Sequence, residues 1–289
     1  MYAIAGITGQ VGGVVARSLL AQGHSVRAVV RDAAKGAKWA EQGCDVALAA
    51  MDDVAALTRA FEGTEGVFIL LPPNFDPTDG FPESRRVIAV VREAIEAAMP
   101  GKVVLLSTIG AQAEQTNLLS QLALMEQALG TLPMPVAFLR AGWFMENAAW
   151  DIEPARTGGE IASFLQPLDR RIPMVATADV GRVAAELLTE DWQGHRIVEL
   201  EGPYRVSPVD IAASLAGLLG RDVTAHAVPR DTWEGLFLSQ GMKNPKHRIR
   251  MVDGFNEGWI DFEGGANGTR KGTVSLETVL KGLVAPVEQ

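Results

Sequence analysis

The chain has 289 residues, of which 47% are hydrophobic and 21% charged, and its formal net charge is -9. This length and apolar content support a sizeable buried core and exclude a disordered or low-complexity polypeptide. The acid excess, with Lys and Arg scattered along the chain, argues against a nucleic-acid-binding surface, which needs clustered cations to neutralise phosphates.

The first elements read as "YAIAG", a strand, then an amphipathic helix from Gln10 to about Gln22, then the strand "SVRAVV". This is a βαβ unit. The alternation continues through the strand "DVALA", a helical "DDVAALTRAF", the strand "GVFILL", a helix from about Pro82 to Ala98, and the strand "KVVLLS". A helix from about Asn117 to Leu129 and the strand "VAFLR" complete the series. The strands are apolar throughout, as in a parallel sheet covered by helices on both faces. The expected fold is therefore α/β: a Rossmann-type, doubly wound parallel sheet of six strands.

After Trp143 the regularity fades into turn-rich stretches such as "EPARTGGE" and "EGPYRVSP". A helix begins near Ala178, and later segments, including the strand-like "DVTAHAV", read as a smaller C-terminal α/β cap. The expected division is an NAD(P)-binding domain over 1–150, with a return segment at about 176–200, and a smaller substrate or cap region over 151–289.

Within the first unit, "GITGQVG" places Gly6, Gly9 and Gly12 between strand and helix. Glycines there let the chain turn tightly and leave backbone N–H groups free at a helix N-terminus, where a pyrophosphate fits. The alternative is a plain strand-helix turn. The position in the chain and the flanking elements favour cofactor binding. The second strand ends in Arg31, where an acid would instead bind the 2′-hydroxyl of NAD. A guanidinium there pairs with the 2′-phosphate of NADP, and Lys35 and Lys38 add positive potential. The competing assignment leaves Arg31 in solvent and gives the ribose to Asp32.

Other chemistry is sparse. Cys44 is the single cysteine, so there is neither an intramolecular disulfide nor a thiolate cluster, which fits a reducing, cytoplasmic setting. The four histidines are isolated and no metal site is expected. The first apolar run is broken by glycines and reads as neither a signal peptide nor a membrane span, so no membrane partner is expected. Both a monomer and a homodimer remain open. Trp143, Phe144, Trp233 and Phe237 line an apolar pocket or belong to the core. Phe75, in the turn-rich "PPNFDP" after the fourth strand, is a better pocket residue, because doubly wound folds bind ligands there.

Taken together, "GITGQVGG", "VRAVVRD", "VVLLSTIGA" and above all "VAFLRAGWFMEN" resemble the NmrA-like group of atypical short-chain dehydrogenases. That group includes NADPH-dependent quinone reductases and redox-sensing regulators. The resemblance implies that Gly6, Thr8, Gly9, Gln10 and Val11 form the phosphate loop and that Arg31 holds the 2′-phosphate. It also implies that Leu71 and Pro72 line the cofactor after the fourth strand, and that Ser107 and Thr108 lie near the nicotinamide ribose. Two departures stand out. Ala50 occupies a position after the third strand where the group often has an acid that contacts the adenine. The Tyr-x-x-x-Lys pair of ordinary short-chain dehydrogenases is also missing, with no Tyr, Lys or His between Ser107 and Arg140 and an apolar residue, Leu122, near the usual lysine.

Ketone reduction needs a positioned acid, so its absence disfavours that chemistry. The expected function is an NADPH-dependent oxidoreductase passing hydride to a small, flat, electron-poor acceptor such as a quinone. Its reduced product is a stabilised phenolate, which water or a weak donor such as Ser107 or Asn147 can protonate. The rival is a non-catalytic NADP(H)-sensing regulator that binds a protein partner.

Overall fold

The computed structural model describes residues 1–285. Strands and helices alternate as β1 (Tyr2–Ala5), α1 (Gln10–Ala21), β2 (Val26–Val30), α2 (Ala33–Ala40), β3 (Asp45–Leu48), α3 (Val54–Phe61) and β4 (Gly66–Leu70). They continue as α4 (Pro82–Ala98), β5 (Val103–Thr108), α5 (Ser120–Leu129) and β6 (Val136–Ala141). The next elements are β7 (Trp143–Phe144), a 3-10 helix (Met145–Asp151), α6 (Ile152–Gly158), β8 (Glu160–Ser163), β9 (Met174–Val175), α7 (Thr177–Thr189) and β10 (His195–Glu201). Last come α8 (Pro208–Leu219), β11 (Thr224–Ala227), α9 (Trp233–Ser239), α10 (Lys246–Glu257), α11 (Gly265–Gly268), β12 (Arg270–Lys271) and α12 (Leu276–Val284).

The main sheet is parallel and runs in the order β12-β10-β6-β5-β4-β1-β2-β3. The six expected strands are present in doubly wound order, and the sheet is extended to eight strands by β10 and β12. Strand β10 pairs Val136 with His195 and Ala141 with Leu200, so the later part of the chain returns to the first sheet twice. Its sequence, "HRIVELE", hides this because Glu199 and Glu201 are buried acids. Both have hydrogen-bond partners. Glu199 accepts the backbone N–H groups of Glu263 and Gly264 at 2.9 and 3.0 Å. Glu201 takes Lys271, Arg205 and the Thr269 hydroxyl.

Apolar strands bury both faces. One face packs Ile4, Phe68 and Leu139 against α1 and α7, and the other packs Ile69, Leu105 and Val136 against α3, α4 and α5. Gly181 makes the α1–α7 contact close, since a Cβ there would lie 2.5 Å from Val14 Cβ. The third core belongs to the cap, where β8 and β11 form a small parallel sheet and Trp233 and Phe237 are fully buried. Those two aromatics are therefore core and not pocket lining. Among the described residues no helix is long and apolar enough to cross a membrane.

One half-buried cap residue carries a cost. Asp151 ends the 3-10 helix and adjoins α6, forms no capping bond, and burial pushes its carboxyl up to about 6. The native state thus holds a proton that the unfolded chain has lost, so the penalty is complete above about pH 6 and absent below the ordinary carboxylate value of 3.8. Asp151→Asn is expected to raise stability at pH 7.5 by about 1–2 kcal/mol and to have no effect at pH 3.5, as thermal melts at the two pH values will show.

Candidate functional site

The carboxyl ends of the central strands deliver the candidate residues to one edge of the sheet. From β3 towards β6 these are Arg31 after β2, Gly6 after β1, Leu71 and Pro72 after β4, Ser107 and Thr108 at the end of β5, and Trp143 just past β6. The chain order reverses between β1 and β4, which is where doubly wound sheets open a crevice.

The glycine loop fits a close-approaching ligand. Gly6 has φ +66°, and a Cβ on it would lie 2.6 Å from Leu70 Cδ2. A Cβ on Gly12 would lie 2.4 Å from the Gly6 carbonyl oxygen, so α1 can pack on the turn only without a side chain there. Gly9 differs. Its φ of -89° suits any residue, and a Cβ would meet only the Gly6 carbonyl oxygen at 3.3 Å, leaving open space before the helix. No side chain caps α1, whose first N–H groups lack intrahelical partners by geometry. Free N–H groups at a helix start are the arrangement that suits an anion. Thr8 and Gln10 are exposed at its mouth, whereas Val11 is buried beneath it.

Beside the loop lies a cavity of about 270 Å³ lined by Thr8, Gly9, Arg17, Lys35, Lys38 and Trp39, among others. Arg17 enters here from α1, a placement the helical pattern alone does not show. Arg31 is exposed and is not among the lining residues. Asp32, the competing ribose ligand, caps α2 by accepting the Ala34 N–H at 2.8 Å.

At the other end of the edge, Ser107 is buried and donates its hydroxyl to Glu126 Oε1 at 2.5 Å. Glu126 on α5 is gripped by Arg140 from β6, with Nε to Oε1 at 3.0 Å and Nη2 to Oε2 at 2.8 Å. Arg140 also reaches Glu263 at 2.5 Å and Gln112 at 3.3 Å. Despite burial, these acids hold the Arg140 guanidinium above its ordinary pKa. Ser107 thus commits its proton inward to Glu126. Thr108 is half-buried and donates to the Ile109 carbonyl at 3.2 Å. Leu122 packs into the sheet core, and Asn147 is exposed on the 3-10 helix.

The loop after β4 is tied to the cap. Asp76 accepts the Lys243 and Asn244 N–H groups at 2.8 and 2.6 Å, and those bonds hold its carboxyl below the ordinary value. His247 meets Asp79 at 2.7 Å, and the Asn74 carbonyl accepts from Gln121 at 3.1 Å. Phe75 stands 65% exposed between these anchors. Trp143 stacks edge-on against Phe255 of the cap at 5.3 Å, and Phe144 packs on the sheet core, so the β7 turn bridges the two. Among the described residues no group of three or more His, Cys, Asp or Glu side chains is placed to hold a metal ion.

The model of the NmrA-like family matches residues 2–267. This chain belongs to the NmrA-like family. It is 30% identical to quinone oxidoreductase 2 of Escherichia coli (strain K12), over 84% of this chain and 82% of that protein. It is 25% identical to the NAD(P)H azoreductase of Xenophilus azovorans, over 89% of this chain and 85% of that protein. The crystal structure of the NADPH-dependent quinone oxidoreductase from Escherichia coli, complexed with NADPH, matches with a TM-score of 0.82 at 24% identity, covering 99% of this chain and all of that one. The family fold is thus the one the resemblance implies.

Proposed function

We infer that this protein is an NADPH-dependent reductase acting on flat, electron-poor aromatic acceptors, with quinones the first class. One observation carries the reading: the sheet edge offers a dinucleotide cradle at Gly6, Gly9 and Gly12, while the proton of Ser107, at the family's reaction end, is committed to Glu126. The names of the relatives, a quinone oxidoreductase and an azoreductase, support the same class.

When bound, NADPH supplies the hydride. The residues of this chain do the remaining work. The open N–H groups of α1 bind the pyrophosphate, and Gln10 and Thr8 border it. Ser107, Thr108, Leu71 and Pro72, at the carboxyl ends of β4 and β5, would hold the nicotinamide ribose end of the cofactor. The Glu126–Arg140 pair fixes the orientation of Ser107. Phe75, exposed on its anchored loop, and the half-buried Trp143 and Phe144 offer flat apolar surfaces for the acceptor.

This arrangement suits a quinone better than a ketone. Hydride addition to a ketone leaves an alkoxide that needs a positioned acid. Reduction of a quinone leaves a phenolate with a pKa of about 10, comparable to tyrosine, which solvent can protonate. The test is steady-state NADPH oxidation against a panel of quinones and secondary ketones. Turnover is expected with quinones and not with ketones, and Ser107→Ala should lower kcat only partly. Tight NADPH binding without turnover on any acceptor would instead favour a cofactor-sensing regulator.

A further inference from the structure

Helix α10 runs along the seam between the cap and the sheet edge. In its first turn His247 meets Asp79 at 2.7 Å, its ring lies 4.8 Å from that of Phe81, and its carbonyl accepts the Leu118 N–H at 3.0 Å. Two turns later Phe255 packs edge-on against Trp143. Arg248 lies between these contacts, seven residues before Phe255, so the two share one helical face.

The Arg248 guanidinium is half-buried and has no carboxylate. Its one hydrogen bond among the described residues goes to the thioether of Met242 at 3.8 Å, a weak acceptor, and it stands 4.6 Å from the centroid of the Phe237 ring. Burial pushes its pKa below the ordinary value, yet a guanidinium stays charged at neutral pH. The acids nearby are already engaged. Asp253, on the same helix, is forked by Arg230 at 2.6 and 2.9 Å, and Asp76 accepts the N–H groups of Lys243 and Asn244. A partly desolvated cation with most of its N–H donors unspent is costly, and an entering anion removes the cost.

Helical side chains lean towards the N-terminus, which carries the Arg248 head back over the segment before α10. That segment holds Met242, Lys243 and Asn244 and is tied through Asp76 to the loop of Phe75. The cation thus stands on the cap side of the seam, between the Phe75 loop and Trp143. We propose that Arg248 binds an anionic oxyacid group, a carboxylate or a sulfonate, on the acceptor, and so selects flat, electron-poor acceptors that carry one. This rests on the reductase reading above and narrows it. A guanidinium forks two oxygens of such a group with charge-assisted bonds, and its contact with Phe237 holds the fork in place.

Steady-state NADPH oxidation with 1,4-naphthoquinone and its 2-sulfonate, compared across wild type, Arg248→Met and Arg248→Lys, tests the assignment. Methionine keeps an apolar cover on Phe237, and the anionic-over-neutral ratio of kcat/KM within each protein cancels the different reactivities of the two quinones. In Arg248→Met that ratio should fall roughly ten- to a hundred-fold, the range of one charge-assisted contact, through a rise in KM for the sulfonate. Arg248→Lys should keep part of the preference. Equal losses for both quinones, or a ratio that does not move, overturn the assignment while leaving the reductase reading intact. Calorimetric titration of naphthalene-2-sulfonate and 2-naphthoate into the NADPH complex reads the same contact without turnover, and at least one of the two should bind wild type about ten-fold or more tightly than Arg248→Met. If no quinone is turned over, the reductase reading fails and this binding difference alone decides on Arg248, with equal affinities of wild type and Arg248→Met for both anions overturning the assignment.

Discussion

Gly9→Val is expected to weaken NADPH binding by about 100-fold or more while lowering Tm by only about 2–4 °C. The two halves of this result have separate causes. A Cβ on Gly9 would meet only the Gly6 carbonyl oxygen at 3.3 Å, and the backbone there, at φ -89° and ψ 175°, is extended and open to valine. The fold therefore loses about 1 kcal/mol, from the strong preference of an N-cap for glycine over valine and the few tenths of an ångström by which the Gly6 carbonyl must give. The branched side chain instead fills the space before the N–H groups of α1, removing two or more charge-assisted bonds to the pyrophosphate. Gly12→Ala provides the contrast. Its methyl would lie 2.4 Å from the Gly6 carbonyl oxygen, so the turn must open and the Gly9 N–H to Gly6 bond of 2.9 Å is strained or lost. That variant should lose both Tm and binding. Melts by circular dichroism alongside calorimetry separate the two, and a Gly9→Val protein that still binds NADPH normally removes the phosphate loop from the account.

Glu126→Ala should destabilise the protein by about 3 kcal/mol, or roughly 5 °C in Tm for a chain of this size. The substitution leaves Arg140 buried with its nearest carboxylate gone and the Ser107 hydroxyl without its acceptor. The loss falls at the lower end of the range for breaking buried pairs, because Glu263 still reaches the guanidinium at 2.5 Å. Replacing both partners, with Glu126→Leu and Arg140→Met, should recover part of the loss, because no charge is then left stranded. Purely additive losses in the double variant would show that the two side chains do not act as a pair. Kinetically, Glu126→Ala frees the Ser107 hydroxyl to turn, so the NADPH Kd should rise while the acceptor KM changes little.

The parallel sheet is legible in the sequence because β1, β4, β5 and β6 are apolar on both faces and separated by helices of the expected period. Strand β10 escapes that reading because two of its seven residues are buried glutamates, satisfied by partners about 60 to 70 residues away. Strand β12, with two residues, carries too little pattern to be seen at all. The glycine cradle is legible for a local reason: its three glycines act on one turn. Arg17 is not, because the cavity it lines is completed by Trp39, Lys35 and Lys38 on another helix. The restraint on Ser107 is equally remote, built from α5 and β6. For Trp233 and Phe237 the spacing leaves pocket and core open, and only packing, which puts both at 0% exposure, decides for the core.

The most direct test of the central claim is a stopped-flow single turnover in which the preformed NADPH complex is mixed with a simple quinone and absorbance at the reduced nicotinamide band is followed. A saturable decay far faster than the reaction in buffer is expected, retained in large part by Ser107→Ala, abolished by Gly9→Val, and absent when a secondary ketone replaces the quinone. A decay no faster than background across quinones, or one that requires Ser107 and extends equally to ketones, would contradict the claim.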